Sequence, residues 1–184
     1  MNIHNIFIQL IGLLAWLILF SSYYRKDTNK ILLFHIIAML LYSIHYFLLE
    51  AYSGLFICIV ELICDFLYYK TDKDDYIYII SIPFRILGGI ISYKIIIDIL
   101  PVISSLIDGY SLTKKKEKVV SFAIISFVLW IIYDLSVGSW SCAITDALVV
   151  ISNISIIIYT KKTKKNNNIT NNKILETMTN MKQR

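Results

Sequence analysis

Apolar residues run through this chain in long, nearly unbroken stretches. They show neither the alternation of a half-buried strand nor the narrow apolar stripe of a soluble helix. Stretches at 5–23, 29–48, 53–69, 76–94, 97–112, 119–137 and 142–159 each predict a membrane-crossing helix. About 20 mostly apolar residues cross a bilayer, and in lipid the backbone must satisfy its own hydrogen bonds. The fourth stretch, YIYIISIPFRILGGIISYK, differs from its neighbours by carrying Arg85 near its middle. The three stretches before it and the three after it resemble each other.

The likeness is visible in an ungapped shift of 88 residues, which brings Lys26 onto Lys114, Lys30 onto Lys118, Phe34 onto Phe122, Leu41 onto Leu129 and Ser53 onto Ser141. Three spans plus one span per period keeps both copies in the same orientation, which is a parallel repeat. The predicted fold is therefore all-α and polytopic, with seven transmembrane helices. Repeat one covers 5–71, a linker helix covers 76–94, and repeat two covers 97–160. Together they form one domain, 1–165, followed by a polar, Asn-rich tail at 166–184 that is expected to be disordered.

Composition agrees: 57% of the 184 residues are hydrophobic and 17% are charged, with a mean hydropathy of +0.66. A soluble domain is nearer half apolar and about a quarter charged. The net charge of +5 is unevenly placed. Arg25, Lys26 and Lys30, then Lys70 and Lys73, then Lys114, Lys115, Lys116 and Lys118, then Lys161, Lys162, Lys164 and Lys165 mark alternate connections. With seven spans all four clusters share one side, and the positive-inside rule puts the N-terminus outside and the C-terminus in the cytoplasm. Basic residues split over short connections do not form a nucleic-acid surface. Cys58, Cys64 and Cys142 fall inside apolar stretches, without a CxxC pair, and are read as small packing residues free of disulfides. The N-terminal stretch lacks a basic leader and an A-x-A-like cleavage site, and reads as the first span.

The run QLIGLLAWLILFSSYYRKD, then IHYFLLEAYS, the Gly88–Gly89 pair, LPVI at 100–103 and LWIIYDLSVGS at 129–139 together resemble the YgjV family of bacterial inner-membrane proteins. The resemblance covers most of residues 9–160. It implies a multi-pass protein of the bacterial inner membrane, in a family of uncharacterised function, with a layout similar to that of SWEET and PQ-loop proteins. The chain departs from that pattern in three places. Val102 rather than Gln follows Pro101, and Glu61 and Cys64 stand where the family usually carries Asn and Arg.

Polar residues inside the spans are costly and mark function or internal pairing. Glu61 and Asp65 share one face of the third span, and Asp146 and Asn153 share one face of the seventh. The 88-residue shift matches Asp65 with Asn153 and Tyr42 with Trp130. These six form the candidate substrate site, with Asp65 and Asn153 predicted to face each other across the central axis. A structural ion pair of Arg85 with Glu61 or Asp65 is the competing reading of those two acids, and core packing that of the aromatic pair. Asp134 is expected to be a solvated carboxylate at the outer mouth and Asp108 to be solvated near the cytoplasmic end. His45 is expected to be a satisfied interfacial histidine. No HExxH, GxSxG or phosphate loop occurs, and no cluster has metal-ligand spacing. The chain is therefore read as no enzyme, without cofactor or metal. Its expected partners are the lipid bilayer and an unknown small polar solute, carried with or without proton coupling by Glu61, Asp65 or Asp146; a homo-oligomer stays open. A receptor or partner-stabilising scaffold is the alternative.

Overall fold

The structure, a computed structural model, describes residues 3–22, 24–25, 27–71, 74–112 and 116–182. Lys26, Lys73, Lys114 and Lys115, on which the topology reading leans, lie outside them, as do the side chains of the tail from 164 onward. Among the described residues all regular structure is helical. The helices are α1 (Ile3–Ser22), α2 (Thr28–Leu48), α3 (Tyr52–Thr71), α4 (Asp74–Ser92), α5 (Leu100–Leu112), α6 (Lys116–Val137) and α7 (Trp140–Lys182). A 3-10 segment, Ile96–Ile99, leads directly into α5.

Among the described residues, five helices are long and apolar enough to cross a membrane: α1, α2, α3, α6 and the Trp140–Thr160 part of α7. α4 is apolar over a shorter stretch, Ile79–Ser92. It begins with Asp74 and Asp75 and carries Pro83 inside, where the missing N–H removes one ladder bond. α5 has 13 residues and takes its Pro101 in the first turn, where no intrahelical donor is lost. The tail departs from the expectation of disorder: the α7 backbone continues as helix to Lys182. Extending an existing helix fixes one residue per hydrogen bond, whereas nucleating one fixes several.

Consecutive helices pack as neighbours, α1 on α2 on α3 and α5 on α6 on α7, and α1 also meets α7. Small and hydroxyl side chains let the helices approach closely. Between α5 and α6, the Ser104 and Ser126 hydroxyls bond each other at 2.6 Å, both fully buried. Ala15, Ala38, Tyr42, Tyr46, Ala51, Cys58, Tyr133 and Cys142 form the central packed cluster. The three cysteines are free and buried.

The two short connections, α2 to α3 and α6 to α7, have the same construction. α2 ends with Glu50 at φ +57° and α6 with Gly138 at φ +76°. After each, a backbone N–H returns to the carbonyl five residues back: Ala51 to Tyr46 at 3.0 Å and Ser139 to Asp134 at 2.8 Å. The Glu50 N–H also donates to Phe47 O at 3.0 Å, completing a Schellman motif, whose left-handed residue is most often glycine.

Candidate functional site

One end of the bundle, beside these two turns, is closed by buried polar groups. Asp134 on α6 is fully buried (0% exposed). Its Oδ1 accepts from the Tyr46 hydroxyl of α2 at 2.8 Å. The expected solvated outer-mouth carboxylate is thus corrected: aromatic rings cover it, with Tyr46 stacked on Trp130 at 5.7 Å between centroids. His45 is also fully buried. Its Nδ1 lies 2.8 Å from the Ile8 carbonyl, which can only accept, so this nitrogen carries a proton. In the neutral ring Nε2 then accepts from the Ser139 hydroxyl at 2.8 Å. The histidine is satisfied on both sides, in the interior rather than at the interface. Tyr133 completes the layer by accepting from the Gly54 N–H at 2.9 Å. A Cβ on Gly54 would come within 2.9 Å of the Tyr133 ring, so this approach needs glycine.

Below this layer lies a cavity of about 430 Å³. At the closed end it is bounded by Tyr46, Trp130, Cys58 and Cys142. At the other it reaches Tyr68, Asp108, Gly109 and Val119, which stand within about one turn of the α3, α5 and α6 ends. Two helix faces form its long walls. α2 contributes His35, Met39, Tyr42 and Tyr46, spaced four, three and four residues apart as one face requires. α6 contributes Ala123, Phe127 and Trp130 with the same spacing.

Charge enters from α3, α4, α5 and α7. The Arg85 guanidinium, 6% exposed, donates to Glu61 Oε1 at 3.0 Å and to the Ser105 carbonyl at 3.1 Å. Its Nε donates to the Ser81 hydroxyl, one turn back, at 3.2 Å. One cation thereby ties α3, α4 and α5 together. His35 Nδ1 lies 3.9 Å from Asp65 Oδ2. Asp108 accepts from the Ser126 hydroxyl. It is partly buried in the cavity wall, which corrects the expectation of a solvated group. Asp146, on α7, lines the cavity and forms no hydrogen bond among the described residues. The Tyr42 hydroxyl, on a side chain 9% exposed, has no hydrogen-bond partner there either.

Of the residues singled out from the sequence, Tyr42, Glu61, Asp65, Trp130 and Asp146 line this one cavity, with Arg85. Asn153 is not among its lining residues. From Ile151 to Thr160, α7 is exposed on most of its surface. The cavity residue matched to Asp146 by the 88-residue offset is Cys58. His35 and Met39 escaped the sequence reading, which placed Asp108 in water rather than in the cavity wall. The four-three-four spacing that joins His35 to Tyr42 and Tyr46 was the signal for the first of them.

The family described as Imp-YgjV, bacterial inner membrane protein, matches residues 6–164, and the chain belongs to it. No curated protein and no solved structure matches the chain.

Proposed function

We propose that this member of the Imp-YgjV family passes a small polar solute across the inner membrane, through the cavity between its two helix triplets. The observation that carries the reading is a cavity of about 430 Å³ with Glu61, Asp65, Asp108 and Asp146 in its wall, which extends to one end of the bundle and stops at the buried Tyr46–Asp134 contact at the other. A carrier needs one closed and one accessible end, exchanged by rocking one repeat against the other.

The proposal includes seven spans in two parallel repeats. α4, with 19 residues, is about 28 Å long, and the 3-10 segment with α5 reaches about the same length. Both approach the roughly 30 Å of a hydrocarbon core. The matching turns at Glu50 and Gly138 and the Tyr46–Asp134 contact all fall at the 88-residue offset and support the repeat. The basic connections then lie in the cytoplasm, the N-terminus lies outside, and the cavity faces inward. Asp65, Glu61 and Asp146 are the groups through which a proton couples.

The Arg85–Glu61 pair favours the second reading, a non-transporting receptor or scaffold, because it serves packing without a solute. The cavity beside it favours transport. Uptake of candidate solutes into liposomes holding the purified protein decides between them. Asp65→Asn and Asp146→Asn are expected to impair uptake or its pH dependence while the protein still folds. Absence of flux for every solute overturns the transport reading, and wild-type uptake in both variants at every pH reduces Asp65 and Asp146 to structural polar contacts.

A further inference from the structure

The cavity walls carry more acidic than basic side chains. Glu61, Asp65, Asp108 and Asp146 are acidic. The one guanidinium among the lining residues, Arg85, already donates to Glu61, Ser81 and Ser105, so it is not aimed at an anion. Two groups stand ready for a ligand: Asp146 and the Tyr42 hydroxyl both line the space, and neither has a hydrogen-bond partner among the described residues. The closed end is walled by the rings of Tyr42, Tyr46 and Trp130. Electron-rich ring faces attract cations, most of all once water is excluded.

We propose that the ligand of this cavity is a small organic cation, an amine or quaternary ammonium, with its charge between Asp146 and the Tyr42–Trp130 wall. The inference rests on the reading of the cavity as a solute path and names its substrate class. A bare metal ion fits less well. A space of about 430 Å³ is far larger than an ion, and the described residues contain no group of three or more His, Cys, Asp or Glu side chains suited to a metal. Met39 and Phe127 supply apolar surface for the body of such a ligand.

The test is equilibrium binding to the full chain in detergent, measured by calorimetry without any flux. The probes are choline, its neutral carbon isostere 3,3-dimethylbutan-1-ol, 1,4-diaminobutane and butane-1,4-diol. At least one cation is expected to bind saturably, with its neutral counterpart about tenfold weaker or worse. Trp130→Leu and Asp146→Asn are each expected to weaken the cation about tenfold. If Asp146→Asn does not fold, Trp130→Leu carries the test. Equal binding of cation and alcohol, or no binding of either cation to folded protein, overturns the inference. Binding without flux removes the transport reading and leaves the cation site standing. Uptake of a neutral or anionic solute without cation binding does the reverse.

Discussion

The Tyr46 hydroxyl donates to Oδ1 of Asp134 over 2.8 Å, and the two residues stand 88 positions apart, the same offset that aligns the two halves of the chain. In a pair of repeats related by a twofold axis, a residue and its counterpart are separated by twice their distance from that axis. A direct hydrogen bond between counterparts therefore belongs at the axis, where any rocking of one repeat against the other is felt first.

Removing the donor from this contact leaves a buried carboxyl with one partner fewer. Tyr46→Phe is expected to destabilise the protein by about 1–3 kcal/mol, read as a lower midpoint of thermal unfolding in detergent. A double-mutant cycle with Asp134→Asn is expected to show a coupling of about 0.5 kcal/mol or more. Strict additivity of the two changes would mean that the contact does not hold the closed end.

Arg85 and Glu61 pair at 3.0 Å inside the bundle, so breaking the pair differs from deleting it. Arg85→Leu alone leaves an uncompensated acid and is expected to cost about 3–5 kcal/mol, while the double change to Arg85→Leu with Glu61→Leu recovers much of that loss. Yield and melting temperature report it. A double variant no better than the single one would show that the bonds to Ser81 and Ser105 carry the weight instead.

The two matching turns give a test free of packing effects. A Cβ at Gly138 would meet nothing within 4 Å, so Gly138→Ala reports backbone strain alone. At φ +76° this change is expected to cost about 1–2 kcal/mol. Glu50 occupies the corresponding position at φ +57° with a side chain, and Glu50→Gly is expected to gain up to about 1 kcal/mol. A loss on Glu50→Gly would point to a role for its carboxylate.

Membrane sidedness is open to chemical labelling. In a background with Cys58, Cys64 and Cys142 replaced by serine, a cysteine at Asp65 or Val119 is expected to react with an impermeant thiol reagent applied from the cytoplasmic face. A cysteine at Asp134 is expected to stay protected from either face. A reporter after Arg184 reads cytoplasmic and a tag before Met1 reads external. Both termini on one side would require an even number of spans and break the parallel repeat.

The apolar runs and the short turns could be read from the sequence because they are local. Helices in lipid follow from the length of an apolar stretch, and the turns at Glu50 and Gly138 from breaks in it. The membrane family followed from the same collinear runs. The pairing of Arg85 was also legible in outline, since a buried cation needs a counter-charge and Glu61 and Asp65 were the nearest candidates by span. Which acid it takes was decided by packing: Glu61 meets the guanidinium, and Asp65 lies beside His35 instead. The placement of Asn153 shows the same limit. Equal position in a repeat does not give equal enclosure, because enclosure depends on what the other helices cover, and α7 is exposed on most of its surface from Ile151 to Thr160. Asp134 is the clearest case. Its place near a span end suggested water, and Tyr46, which donates to its carboxylate, stands 88 residues away in the chain. Local periodicity determined the helices and their apolar character. Depth, cover and partnership belonged to contacts between helices, which no single stretch of sequence encodes.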